Sequence, residues 1–152
     1  MTYCCKVFYF NNLSKQVLKI EYNYDFSLLG IVSSEKIYRL CWVLNQELPL
    51  DLLRTDDLEI FSGNSSTSQY FPRYIDQNSS ENEGYIYLLG NKNSGRYVIP
   101  DRKEADYFLI LNGDAIMENI DSVVNQLKLI KTIQAVYKID PNILNSKENL
   151  IF

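Results

Sequence analysis

The chain has 152 residues, of which 46% are hydrophobic and 22% charged, and its net charge is −4. A chain of this length is expected to form one domain and to bury roughly 70% of the surface that its unfolded state exposes, so core packing alone can hold the fold. The acidic balance argues against sequence-independent binding to nucleic acid, which needs a positive field, and against binding to anionic membrane surfaces.

The chain contains no histidine. This absence removes the commonest general base and the commonest metal ligand, and it excludes Ser-His-Asp and Cys-His catalysis within one chain. The sequence also lacks a phosphate-binding loop, a dinucleotide fingerprint and a CxxC pair. We therefore expect no cofactor and no metal, and an enzymatic role is the less favoured interpretation.

Three cysteines are present, Cys4, Cys5 and Cys41, and their odd number and spacing indicate no disulfide framework. Cys41 falls on the apolar face of a predicted helix, where it is expected to act as a small buried hydrophobe. We find no convincing signal peptide and no apolar run near the roughly 18 residues of a membrane span. These features predict a cytoplasmic protein with no membrane partner.

Residues 1–15 are predicted to be a poorly ordered N-terminal extension, and residues 16–152 a single α+β domain. Alternating side chains at 16–22 predict a half-exposed strand, and residues 26–32 predict a second strand. Gly30 within that strand indicates a bulge or a close backbone approach. Ser33, Ser34 and Glu35 then predict the start of a helix with a serine N-cap, which runs to about residue 48.

Pro72 interrupts the apolar pattern of residues 69–75, and a proline inside a strand favours a position at the edge of a sheet. The other elements of this part of the chain are predicted to be a connection (50–57), a short strand (58–61), polar loops (62–68 and 76–84), a buried strand (85–89) and a hairpin-type loop (90–95).

The strongest strand signal covers residues 107–111, where every side chain is apolar or aromatic. A strand that is apolar on both faces is expected at the centre of a sheet with both of its faces covered. Asn112 and Gly113 predict the turn that ends it. The remaining elements are a second helix (117–130), a long strand (132–139), a short helical turn that Asp140 caps and Pro141 begins, and an apolar tail (150–152) that docks on the body.

The predicted order is β-β-α-β-β-β-β-α-β. Short loops between neighbouring strands favour antiparallel pairing, and two amphipathic helices can cover one face of a sheet. The predicted fold is a two-layer α+β sandwich, with a mainly antiparallel sheet of about six or seven strands and two amphipathic helices on one face.

The residues Ile99-Pro100-Asp101 followed by Ala105-Asp106-Tyr107 resemble the signature of the IPExxxVDY family, small uncharacterised proteins of Bacteroidetes-type bacteria. Asp101 stands where the signature has Glu, and Ala105 where it has Val. The resemblance covers residues 25–152 and implies a bacterial cytoplasmic protein, but it supplies no activity. Further blocks that resemble the family are Tyr38-Arg39-Leu40 with Trp42 and Leu44-Asn45, Asp56-Asp57-Leu58, and the ending SKENLIF at 146–152.

We favour the interpretation that the chain is a non-enzymatic interaction module, an accessory or regulatory protein that binds another protein or itself as a homodimer. This hypothesis depends on the missing catalytic apparatus and on a surplus of aromatic residues, 12 Tyr and 7 Phe. The candidate interaction residues are Tyr38, Arg39, Trp42, Asp101, Arg102, Asp106 and Tyr107.

An RNA-binding accessory protein is the first alternative. It would stack bases on aromatic side chains of a sheet surface, and it predicts two or more solvent-facing aromatics beside basic residues. The acidic net charge disfavours nucleic acid as a partner, but a local basic stripe keeps this alternative open. The stripe consists of Lys92, Arg96, Arg102 and Lys103.

A carboxylate-dependent enzyme of unknown reaction is the second alternative. It predicts a concave pocket in which Asp101, Glu104 or Asp106 converge with perturbed pKa values. Acidic residues at such short spacing are common on solvated turns, so this signal is weak.

Overall fold

The computed structural model describes residues 24–61, 67–79 and 84–152. Within these ranges lie ten strands and three α-helices, with 3-10 helices at Pro100–Arg102, Pro141–Ile143 and Lys147–Leu150. In chain order the elements are β1 (Ser27–Val32), α1 (Ile37–Glu47), β2 (Leu52–Arg54), β3 (Leu58–Phe61), β4 (Ser68–Phe71), β5 (Arg73–Asp76), β6 (Ile86–Gly90), β7 (Lys92–Asn93), β8 (Arg96–Tyr97), β9 (Tyr107–Leu111), α2 (Asp114–Glu118), α3 (Ile120–Leu129) and β10 (Ala135–Ile139).

Six of these strands form one antiparallel sheet in the order β10-β1-β9-β6-β5-β2. The pairs β3-β4 and β7-β8 form two small antiparallel sheets beside it. The predicted α+β sandwich with a mainly antiparallel sheet is therefore confirmed. The predicted extension over 1–15 and the predicted strand over 16–22 lie outside the described residues.

β9 occupies the centre of the large sheet, between β1 and β6, with the bounds that the sequence predicts. Leu109 and Leu111 face the core under the helices, whereas Phe108 and Ile110 face the opposite core. All four side chains are buried. The expectation of a central strand covered on both faces is confirmed.

Both long helices pack on the same face of the sheet, as predicted. The apolar side chains of α1 and α3 recur at helical spacing, so each helix buries one stripe against the strands. The buried members of this core include Leu40, Cys41 and Leu44 from α1, Val124 and Leu127 from α3, and Leu29, Ile31, Leu88 and Leu109 from the strands.

The opposite face of the sheet is covered by irregular chain and by the small β3-β4 sheet. Leu58 and Phe71 come from that small sheet, and Ile99 and Ala105 from the connection between β8 and β9. Leu150 from the last 3-10 helix is also buried in this core. The prediction that the apolar tail docks on the body is confirmed for Leu150.

Two predicted helix boundaries are wrong, one at the start of the first helix and one within the second. The first helix begins at Ile37 with Lys36 as its N-cap. Ser33 lies in the loop before it, where its Oγ donates to the carbonyl oxygen of Thr132 at 2.7 Å and accepts from the N–H of Glu35 at 3.3 Å. The second helical segment is two helices, α2 and α3, which meet at Asn119, the C-cap of one and the N-cap of the other.

The region predicted as a connection over 50–57 contains the edge strand β2. Asn45 on α1 holds this strand, because its Nδ2 donates to the carbonyl of Leu52 and its Oδ1 accepts from the N–H of the same residue. Pro72 divides the predicted strand into β4 and β5, which belong to different sheets. The edge position predicted for this segment is wrong for β5, which pairs with both β2 and β6.

Gly30 lies in the middle of β1, directly opposite Tyr137 of β10. A Cβ atom at Gly30 would lie 2.7 Å from Cζ of Tyr137, closer than such atoms approach in proteins. The close approach predicted at Gly30 is therefore the packing of an aromatic ring on the glycine backbone, an arrangement that covers a strand glycine.

Candidate functional site

The segment over 98–106, which joins β8 to β9 and carries the residues of the family resemblance, is here called the signature loop. Its shape is fixed by Asn91, whose side chain is completely buried just after β6. Asn91 Nδ2 donates to the carbonyl oxygens of Arg102 and Ala105, both at 2.8 Å, and Oδ1 accepts from the N–H of Ile99 at 3.0 Å. One side chain thus satisfies three backbone groups of the signature loop.

The C-terminal segment clamps the signature loop from outside. Asp101 accepts hydrogen bonds from the backbone N–H of Asn145 at 2.7 Å and from its Nδ2 at 3.2 Å, and these bonds lower the pKa of the carboxyl. Asn149 Nδ2 donates to the carbonyl of Val98 at 2.9 Å, and the neighbouring Leu150 is buried. The signature loop and the C-terminal segment are therefore in contact.

Asp106 and Tyr107 tie the start of β9 to the segment before α1. Asp106 Oδ2 accepts from the backbone N–H of Ser33 at 3.0 Å, and the hydroxyl of Tyr107 donates to the carbonyl of Glu35. Burial, aided by the negative charges of Asp106 and Glu35, raises the pKa of Tyr107. The polar atoms of both candidate residues are thus used inside the fold.

Arg102 lies against Tyr137 and Glu104 on the side of the loop that faces β10. Its Nη1 is 3.8 Å from Oε1 of Glu104, and its Nε is buried. Burial, together with the nearby charge of Glu104, raises the pKa of Tyr137 to about 12. Arg102 is therefore part of a polar cluster with Glu104 and Tyr137, beside Gly30.

The raised pKa of Tyr137 predicts a loss of stability in strong alkali. The folded state favours the neutral phenol of Tyr137. Its contribution to the free energy of unfolding is therefore complete below the ordinary pKa of 10 and is lost as pH rises towards about 12. We expect the phenolate absorbance of the native protein to include one late-ionising tyrosine that is missing in Tyr137→Phe. Identical titration curves for the two proteins would contradict this prediction.

The three carboxylates of the enzyme hypothesis do not meet in a described cavity. Asp101 faces Asn145, Glu104 lies near Arg102, and Asp106 accepts from a backbone N–H. None of the three carboxylates lines the cavities of about 300 to 450 Å³ that lie beside Phe71, Leu109, Leu28 and Val43. Nor do the described residues contain a group of three or more Cys, Asp or Glu side chains that could hold a metal ion.

Cys41 is buried as predicted and has the properties of a structural thiol. Its Sγ donates to the carbonyl of Leu52 at 3.3 Å. Burial, with a smaller effect from Asp51, raises the pKa of the thiol to about 11. The reactive thiolate is therefore scarce at neutral pH, and this geometry does not suit a nucleophile.

The outer face of α1 exposes two large aromatic side chains. Tyr38 and Trp42 are four residues apart, which brings them to the same side of the helix, and each exposes 62% of its surface. Arg39 stands beside them and pairs with Glu35 at 3.0 Å. Of the seven candidate residues, these three form a surface, whereas the four in and beside the signature loop have partners within the fold.

The basic stripe predicted from the sequence is divided by the fold. The ammonium groups of Lys92 and Lys103 lie 5.8 Å and 5.7 Å from the ring centre of Tyr97, and Arg96 precedes that tyrosine in β8. Arg102 is turned away, towards Glu104. Three of the four cations of the predicted stripe therefore lie near one another, and Arg102 is the exception. Tyr97, the aromatic residue beside them, was not identified from the sequence.

None of the helices in the described ranges has the length and apolarity needed to cross a membrane. Comparisons of the chain with family models, with curated proteins and with solved structures found no match. The resemblance to the IPExxxVDY family consequently stays a prediction from the residues alone.

Proposed function

We propose that this chain is a non-enzymatic interaction module of the bacterial cytoplasm, with an accessory or regulatory role, and that it binds another protein through the outer face of α1. The observation that carries the proposal is the joint exposure of Tyr38 and Trp42 on one side of a well-packed helix. Tyr, Trp and Arg are the residues most enriched at the energetic centres of protein interfaces.

The size of the exposed rings supports a contribution to binding. A covered aromatic side chain buries about 150–250 Å² at about 25 cal/mol per Å², so the exposed 62% of each ring corresponds to roughly 2 to 4 kcal/mol. Association also has a large entropic cost, and two such rings offset a substantial part of it. Arg39 adds a cation at the same surface.

Removing the two rings is expected to leave the fold intact. Leu40, Cys41 and Leu44 anchor α1 to the sheet from the opposite side of the helix. The double variant Tyr38→Ala/Trp42→Ala therefore separates binding from folding. A matched control is Leu53→Ala/Ile143→Ala, because these two large apolar side chains are 49% and 64% exposed and lie outside α1.

The test is affinity capture from the native cytosol with the tagged wild type and both double variants, in parallel with a nuclease-treated sample. We expect a stoichiometric protein that survives nuclease, binds the control variant, and binds Tyr38→Ala/Trp42→Ala at least about tenfold more weakly. Trp42 is the one tryptophan of the chain, so its fluorescence should shift to the blue when the partner binds. Retention of the same partner by Tyr38→Ala/Trp42→Ala would contradict the proposal.

A homodimer is distinguished by light scattering of the purified protein. A dimer that the double variant dissociates would make the second copy of this chain the partner of the surface. A monomer that captures no protein from the cytosol would remove the interaction-module hypothesis.

A further inference from the structure

A cavity of about 450 Å³ lies between the β3-β4 sheet, the β7-β8 hairpin and the 3-10 helix Pro100–Arg102. Phe71 is buried at this place, whereas Phe61 exposes 76% of its surface at the end of β3. Asn93 Nδ2 donates to the carbonyl of Tyr70 at 2.6 Å and so joins the two walls. Its volume lies within the range of about 300 to 1,000 Å³ that is typical of small-molecule sites.

Positive charge is concentrated at this cavity. Arg96 and Lys103 line it, and Lys92 lies on the same tyrosine ring as Lys103. Among the described residues, no carboxylate lies within 4.0 Å of the ammonium group of Lys92 or Lys103. The net charge of −4 belongs to the whole chain, and at physiological ionic strength charges beyond about 8 Å are largely screened.

Aromatic surface and positive charge thus meet at one cavity. Phe61 and Tyr97 both line it, on opposite walls formed by β3 and β8. Aromatic side chains stack on nucleobases of any type, and lysine and arginine bind phosphate. Neither an apolar ligand nor a simple anion would use both features.

We propose that this cavity binds a nucleotide unit, with the base against Phe61 and the phosphate at Lys103, beside which Lys92 lies on the Tyr97 ring. The unit can be a free nucleotide or part of single-stranded RNA, because both offer a base next to a phosphate. This site is separate from Tyr38 and Trp42, so it can fail or succeed independently of the proposed protein interaction.

The experiment is a titration of the full chain with a fluorescent ten-nucleotide oligouridylate, with ATP and with inorganic phosphate. Two phosphate contacts, at Lys92 and Lys103, predict that the logarithm of the RNA association constant falls with the logarithm of salt concentration with a slope of about −1.4. Lys92→Gln/Lys103→Gln should bind RNA at least about tenfold more weakly, with a slope close to zero. Phe61→Ala should also bind about tenfold more weakly, with an unchanged slope.

The matched control is Lys128→Gln/Lys131→Gln, which removes two exposed lysines near the C-terminus of α3 and should bind like the wild type. Tighter binding of the oligonucleotide than of ATP assigns the site to RNA, and equal binding assigns it to a free nucleotide. Lack of binding to both up to about millimolar concentration would overturn the proposal. The proposal would also be overturned if inorganic phosphate displaced the oligonucleotide as effectively as ATP does. Equal RNA affinities of the lysine variant and its control would overturn it as well, provided that both melt like the wild type.

Discussion

Replacement of Asn91 by alanine is expected to lower the free energy of unfolding by about 3 to 5 kcal/mol. The change leaves the N–H of Ile99 and the carbonyls of Arg102 and Ala105 without their partner inside the protein. Each orphaned backbone group costs about 1 to 3 kcal/mol, and a water molecule that enters the vacated space reduces the sum. Native domains have only about 5 to 15 kcal/mol in total, so this is a large effect.

Urea unfolding and thermal melting measure this effect, and a fall in Tm of about 10 °C is expected. Asn93→Ala is the matched control, since Asn93 lies two residues further on, is exposed, and loses only solvent-exposed bonds to Tyr70 and Ser94. It should cost less than about 1 kcal/mol. An Asn91→Ala protein within that same limit of the wild type would mean that Asn91 does not hold the signature loop.

Substitution of Gly30 is the second prediction with a large effect. A methyl group at Gly30 would press on the ring of Tyr137 at 2.7 Å, so either the ring or the paired strands must move. Such overpacking costs about 1 to 3 kcal/mol, and β1 is paired on both sides and has little freedom to shift. We expect Gly30→Ala to lose about 2 to 3 kcal/mol.

A double-mutant cycle isolates the ring as the cause. A Tyr137→Ala background removes the three atoms that lie nearest to the new methyl group at Gly30, so the cost of Gly30→Ala should fall below about 1 kcal/mol. Chemical denaturation of the four proteins provides the numbers. Equal costs in the two backgrounds would place the strain elsewhere in β1.

The elements predicted best from the sequence are those in which apolar residues recur regularly along one continuous segment. The apolar run of β9 and the helical spacing of α1 are each determined by neighbouring residues, and the structure has both. β2 was missed because it has three residues and is held by the side chain of Asn45 on another element. Pro72 was recognised as an interruption, but the sequence cannot tell a sheet edge from a change of sheet.

The candidate surfaces were predicted less completely, because exposure depends on distant contacts. Tyr38 and Trp42 lie on the flank of an apolar helix face, and only the packing of α1 determines that both are 62% exposed. Nothing in the sequence indicated that Phe61 is exposed. It ends the short strand β3, which pairs with β4 in a small sheet, and the sequence pattern does not show this arrangement. Arg102 was grouped with Lys103 by adjacency, and the 3-10 helix between Pro100 and Arg102 turns it to the opposite side.

The position of β1 in the sheet has a consequence for biosynthesis. This strand is the first described element, yet both of its hydrogen-bonded neighbours, β9 and β10, begin 75 or more residues after it ends. At roughly 5 to 20 residues per second, a ribosome needs about 4 to 15 seconds to add those 75 residues. For that interval the Leu-Leu-Gly-Ile stretch has no native strand to pair with, which makes it the natural place for a chaperone to hold the nascent chain.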